Sequence, residues 1–226
     1  MLRRLFFPVL TGVVGIVVLC ALGVWQVQRM EWKRSYLAEI EARIAAVAVP
    51  LPGLPDPVAD RYLPVFVEGR FTGDAIEVLS SSKLDGVGVR VIGVFEAPGT
   101  DGVRRVLVDR GYLPEAARKA PRSVTVARVE GNLQWPQDSD SFTPPPDAAT
   151  GLWYARDVPA LAQALNTEPV LIVARSPTGD GIDPMPVDTS GIPNDHWGYA
   201  ITWFLLAFVW AGMTVGLLWR MTRRTV

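Results

Sequence analysis

Two apolar runs, one at each end, constrain this chain more than any other feature. The first extends from Leu5 to about Val24 and the second from about Tyr199 to Trp219, and each is about as long as a helix that crosses a hydrocarbon core. Two spans place both termini on one side of the bilayer and leave about 170 residues between them to fold outside it. The first run exceeds the usual signal-peptide core and no small-x-small cleavage site follows it, so it reads as an uncleaved anchor. Leu19-Cys20 resembles a lipoprotein cleavage site only superficially, because Leu19 stands where a small residue is wanted.

Basic residues set the expected orientation. Arg3 and Arg4 precede the first span and Arg220, Arg223 and Arg224 follow the second, whereas Asp180, Asp183, Asp188 and Asp195 line the approach to the second. Both ends are therefore expected in the cytoplasm, with the central segment exported. The expected location is a bacterial inner (plasma) membrane, multi-pass with a periplasmic central domain, or the mitochondrial inner membrane for an organelle protein. Arg29, Lys33 and Arg34, just outside the first span, argue the other way, and the C-terminal cluster breaks the tie. A net charge of −1 gives no electrostatic footprint for nucleic acid.

From Trp25 to about Val47 the helical period continues, with Leu22, Trp25, Arg29, Trp32 and Tyr36 on one stripe, until Pro50, Pro52, Pro55 and Pro57 end it. Two roles stay open for the stripe. It is an interfacial anchor whose Arg29 and Lys33 meet lipid phosphates, or these cations hold the carboxylates of an amphiphilic ligand.

The period then changes to alternation. Tyr62 to Phe71, Ile76 to Leu79, Val87 to Phe95, Val103 to Asp109, Val124 to Leu133 and Pro169 to Ala174 read as strands, separated by turn signals such as Gly73-Asp74, Asp85-Gly86 and Asp101-Gly102. Val158 to Leu165 reads as a short helix and Thr143 to Pro146 as an exposed loop. The expected fold is membrane α+β: two transmembrane helices flanking an exported, mainly antiparallel β domain with a short helix. The expected segments are 1–4 cytoplasmic, 5–25 transmembrane, 26–49 juxtamembrane helix, 50–193 exported domain and linker, 194–219 transmembrane with its interfacial start, and 220–226 cytoplasmic basic tail.

The chemical inventory is sparse. The one cysteine, Cys20, lies within the first span, so no intramolecular disulfide and no CxxC pair exist, copper handling through paired thiolates is disfavoured, and covalent c-type haem attachment is excluded. Neither a nucleophile elbow nor a phosphate-binding glycine loop is present, and Glu68, Glu77, Asp109 and Asp157 are scattered. Asp109-Arg110-Gly111-Tyr112-Leu113-Pro114 reads as a strand end and tight turn with a local ion pair, or as a partner contact.

The only histidine, His196, stands in Asn194-Asp195-His196-Trp197-Gly198-Tyr199-Ala200-Ile201-Thr202-Trp203-Phe204, where a polar loop becomes the second apolar run. On a helix, His196 shares a face with Tyr199, Ala200, Trp203 and Phe204. Either the aromatics form an interfacial belt with His196 as a polar neighbour, or a planar hydrophobic cofactor, haem foremost, lies on them with its metal held by the imidazole.

Four ordered stretches now coincide: Leu22 through Arg29 with Trp32-Lys33, Val67-Glu68-Gly69-Arg70-Phe71, Val106 through Pro114, and Asn194-Asp195-His196 through Phe204. Together they resemble the surfeit-locus protein one family over nearly the whole chain, with Tyr112 where the family often has tryptophan and Asp195 where a second asparagine is frequent. The resemblance implies an assembly factor for cytochrome c oxidase, not an enzyme, that binds haem a and aids its delivery to the catalytic oxidase subunit. It implies His196 as the ligand to haem iron and Trp203 beside it. Tyr199 would pack on the macrocycle, Arg29 would meet a propionate, and haem A synthase would be a further partner. The rival reading is a scaffold that holds an oxidase intermediate or recruits the synthase without binding haem.

Overall fold

A computed structural model describes residues 2–82, 85–99 and 102–223, with only the backbone described for residues 2–4. Asp101 of the expected Asp101-Gly102 turn and Arg224 of the basic tail lie outside the described residues, as do the side chains of Arg3 and Arg4. The chain divides into two units, Met1–Glu39 with Thr189–Val226, and Ile40–Asp188.

The central unit is a small closed barrel. Its strands are β1 (Val49–Pro50), β2 (Pro64–Ser82), β3 (Gly86–Gly99), β4 (Gly102–Pro114), β5 (Val126–Leu133), β6 (Leu152–Trp153) and β7 (Leu171–Ala174). Pairings run β2 to β3, β3 to β4, β4 to β7, β7 to β5 and β5 back to β2, so the sheet closes on itself. Closure leaves the ring strands without the open edges that invite aggregation. These contacts are antiparallel except β4 with β7, and the two-residue strands β1 and β6 add parallel pairs on β2.

One long strand makes closure possible. The front of β2 pairs with β5 from Pro64 to Arg70, and its rear pairs with β3 from Arg70 to Ser82. Between Phe71 and Ala75 the register shifts, with Gly73 at φ +90°, so the expected Gly73-Asp74 turn is a bulge that bends one strand where two were expected. Tyr62 is not in this strand: its φ of +69° belongs to a turn, and β2 starts at Pro64. Side chains that alternate inward, among them Val65, Val67, Phe71, Phe95, Val106 and Ile172, fill the interior, and Phe71 meets Phe95 edge to face at 4.9 Å.

A short helix, α2 (Val158–Leu165), has the expected bounds. Asp157 caps it by accepting the Ala160 N–H, a proline lies in its first turn, and Asn166 ends it in the left-handed conformation. Val158, Leu161 and Ala162 pack on the outward-facing Val78, Ile92, Leu107 and Leu171, covering one side of the barrel.

Helix α1 (Leu2–Ile44) is continuous through the expected boundary between span and juxtamembrane helix. It stops at Ile44, before the expected Val47, because the Ile44 carbonyl accepts hydrogen bonds from Asn132 Nδ2, at 3.1 Å, and from Arg175. A cation at a helix C-terminus also complements the macrodipole. Asn132 is fully buried, donates to the Tyr62 carbonyl at 2.8 Å and accepts from Arg175 Nε at 2.9 Å. The prolines beyond Ile44 belong to the barrel, where Pro50 of β1 pairs with Phe66.

The second unit is a helix pair of α1 with α3 (His196–Arg223). Gly12 faces Thr214, Gly15 faces Trp210 and Gly23 faces Phe204, so the helices run antiparallel. A Cβ on Gly23 would come within 2.7 Å of Phe204 Cε1, which is why that position carries none. The outer faces remain apolar and exposed, including Phe6, Phe7, Val17, Phe208 and Val215. Both helices are long and apolar enough to cross a membrane, and this exposure fits a lipid surround.

Candidate functional site

At one end of the helix pair, two polar side chains meet on the inward seam. Gln26, 9% exposed, follows Gly12 and Gly23 on the face of α1 that meets α3, with Met30 and Lys33 beyond it. His196 is the first residue of α3, where the Asp195 carbonyl accepts the N–H groups of Gly198 and Tyr199. Its Nδ1 lies 2.8 Å from Gln26 Oε1. Lys33 Nζ donates to the Pro193 carbonyl and ties the approach of α3 to α1. Asn194 Oδ1 is buried with no hydrogen-bond partner among the described residues.

That contact determines what the imidazole can do. An amide oxygen only accepts, so Nδ1 is the donor in this contact, and Nε2 is the nitrogen that a neutral imidazole would offer to a ligand. Metal-ligating histidines ordinarily donate their other N–H to such an acceptor, which fixes tautomer and ring orientation. Among the described residues no group of three or more His, Cys, Asp or Glu side chains could hold a metal ion. Among the described residues this end offers one imidazole nitrogen, a donor set too small for a free ion and suited only to a metal already held by its own macrocycle.

The other expected site residues divide. Trp203 is partly buried on the inward face of α3, which Ala200 and Ala207 continue, both almost fully enclosed. Tyr199 is 60% exposed and Trp197 56%, on the outer surface of the helix. Arg29 is exposed, with its guanidinium 4.5 Å from the Trp32 ring centroid. Gln26 had no role in the sequence reading. Its signal was a polar residue at helical spacing from two glycines, which acquires meaning only when α3 supplies the facing histidine.

The Asp109 to Tyr112 stretch is neither a strand end nor a tight turn. It lies inside β4, where Val91 pairs with Gly111 and Ile92 with Asp109, so Arg110 is the extra residue of a bulge. Its ion pairs are long-range. Enclosed Asp109 meets Arg90 at 2.8 Å and Arg156 at 3.5 Å, while Arg110 reaches Asp180 at 2.8 Å and lies 4.4 Å over the Phe71 ring. Arg110 also donates to Thr178, Ser123 donates to Asp180, and Tyr112 forms a bridge with Asp183. Burial works to raise the Asp180 pKa, but hydrogen bonds from Ser123 and Arg110 outweigh it and hold the carboxyl below its ordinary value. Tyr112 is pushed up by burial and by nearby Asp85. These ion pairs and hydrogen bonds fasten residues 178–185 to the barrel.

The chain between two helices long and apolar enough to cross a membrane forms a closed barrel, and a histidine–glutamine pair lies on the helix seam. The SURF1 family model matches residues 13–208. The chain is 30% identical over 207 residues to Surfeit locus protein 1 of Rattus norvegicus, covering 81% of this chain and 66% of the relative. It is 31% identical over 218 residues to a SURF1-like protein of Monosiga brevicollis, covering 88% and 83%, and 28% identical over 210 residues to Surfeit locus protein 1 of Homo sapiens, covering 82% and 69%. The chain thus spans about two thirds of the length of the rat relative. It belongs to the SURF1 family.

Proposed function

We propose that this protein is an assembly factor for haem-copper cytochrome c oxidase that carries haem a toward the catalytic oxidase subunit. Members of its family are known as cytochrome c oxidase assembly factors, and the observation that carries the finer reading is His196 Nδ1 at 2.8 Å from Gln26 Oε1. This contact presents Nε2 as a ligand at the boundary of an apolar helix pair. Trp203 lines the same seam, and Tyr199 and Trp197 supply exposed aromatic surface for a macrocycle. Haem a is cargo in this reading.

One protein nitrogen holds the iron on one side only, so the cargo leaves when the oxidase subunit offers histidines of its own. Gln26 keeps the ring oriented while the site is empty and limits the ordering that loading requires. The barrel serves as the docking body for the oxidase subunit or haem A synthase, with the bilayer holding all of them in one plane. The protein acts as a carrier and not as a catalyst. Its expected setting is a bacterial inner membrane with the barrel in the periplasm, or the mitochondrial inner membrane.

The test is an absorption spectrum of detergent-purified protein produced together with the haem A synthesis enzymes, for wild type and His196→Ala. The carrier reading expects a near-stoichiometric haem a band that collapses in the variant while the helical signal is retained. A colourless wild type that still co-purifies with the oxidase subunit would leave only the scaffold.

A further inference from the structure

One face of α1 carries a cation, Arg29, that no described carboxylate neutralises. Trp25, Trp32 and Tyr36 are each more than half exposed, Trp32 stacks on Tyr36 with ring centroids 6.0 Å apart and planes 6° from parallel, and Arg29 lies over Trp32. Arg34 is exposed as well but, five residues on, lies about 140° round α1 from Arg29 and off this face. Among the described residues, no carboxylate lies within ion-pairing distance of Arg29 or Arg34. Barrel arginines behave differently: Arg70, Arg90, Arg104, Arg110, Arg118 and Arg175 all meet carboxylates of the chain. Lys33 is also engaged, by the Pro193 carbonyl.

We propose that this stripe is a binding site for the headgroup of an anionic phospholipid. The apolar surface of the first span leads directly into it, which places the Arg29 guanidinium at headgroup depth and the rings at the boundary where tryptophan and tyrosine collect. The Arg29–Trp32–Tyr36 stack holds one cation in place, and a phosphate accepts from a guanidinium in the same bidentate way as a carboxylate. Basic residues just outside the first span oppose the orientation that the tail favours, and anion binding gives them a reason to be there. The stripe lies roughly 100° round α1 from Gln26, so it is a surface separate from the His196 seam. This assigns Arg29 to lipid instead of to a haem propionate.

The experiment is native mass spectrometry of the haem-free full chain, titrated with phosphatidylglycerol or phosphatidylcholine. The expected result is tighter first binding of phosphatidylglycerol, by about five-fold, which corresponds to about 1 kcal/mol for the one charge of Arg29. Arg29→Gln should bring the two lipids to parity, Trp32→Leu should weaken the preference with the charge retained, and Arg34→Gln, on the other side of α1, should leave the preference unchanged. Equal affinities in wild type, or a preference that survives Arg29→Gln, would overturn the proposal. Competition by millimolar inorganic phosphate would assign the site to free phosphate. Because the chain is haem-free, failure here leaves the carrier reading untouched.

Discussion

Gly111→Ala should loosen the barrel more than its single added methyl suggests. Gly111 sits at φ +114° in the β4 bulge, and a Cβ there would overlap the Asp183 carbonyl oxygen and stand 2.7 Å from both the carbonyl carbon and Pro184 Cα. Carbon atoms pack at about 3.5–4.0 Å, so residues 183–184 must retreat by about 1 Å. That retreat breaks the two bridge bonds, Tyr112 N–H to the Asp183 carbonyl at 2.7 Å and Asp183 N–H to the Tyr112 carbonyl at 2.9 Å. Each is worth about 1 kcal/mol net, and the backbone conformation costs an L-residue about 1–2 kcal/mol more. The sum is about 3–4 kcal/mol, or about two to three orders of magnitude in opening equilibrium. Peptide-resolved hydrogen exchange on the full chain in detergent measures this directly, as faster exchange across β3 and β4. Gly53→Ala is the control, since a Cβ there meets nothing within 4 Å. Protection within about three-fold of wild type in Gly111→Ala, about 0.6 kcal/mol, would refute the reasoning, as would equal loss in the control.

Three further outcomes follow from the same contacts. Asn132→Ala removes two donated hydrogen bonds and one accepted one in a fully buried position, and should cost about 2–4 kcal/mol in chemical denaturation. Asp180 has a folded pKa below its unfolded value of about 3.8, so its stabilising contribution is complete above that value and fades as pH falls through the folded one. Asp180→Asn should therefore be less stable than wild type near neutrality, and denaturation midpoints measured from pH 7 downward should converge once the wild-type carboxyl is protonated. Gln26→Leu leaves His196 Nδ1 without its acceptor and should lower haem retention by about ten-fold, read as dissociation rate, with the helical circular dichroism unchanged.

The local parts of this fold were legible because local chemistry decides them. Asp157, Pro159 and Asn166 bracket α2 with a cap, a first-turn proline and a left-handed stop, and its bounds could be read directly. The apolar runs were equally plain, and β3 and β4 were legible as Val-rich stretches, although successive residues on both are buried instead of alternating with exposed ones. What could not be read depends on partners distant in sequence. A bulge at Gly73 and a turn at Gly73 have the same composition, and only the β5 and β3 partners on either side of it show β2 to be one strand. Two-residue strands such as Leu152–Trp153 are too short to show any period. The end of α1 is set by Asn132 and Arg175, far along the chain.

The candidate site divides in the same way. His196 and Trp203 were visible as a rare residue type and an aromatic on one helical face. Gln26 was not, since its meaning comes from α3 lying against α1. Arg110 misled because the residue beside it, Asp109, carries the opposite charge, whereas alternation along a strand sends neighbours to opposite faces and each finds a partner elsewhere.

The lone histidine makes the central claim unusually direct to test. Protein labelled with 15N only in histidine, loaded with haem a, purified without a histidine tag and examined by pulsed electron–nuclear double resonance can show a strongly coupled 15N only from His196. The account predicts that coupling, and its disappearance in His196→Ala. A stoichiometric haem spectrum without any 15N coupling would contradict ligation by His196 and move the site elsewhere on the chain.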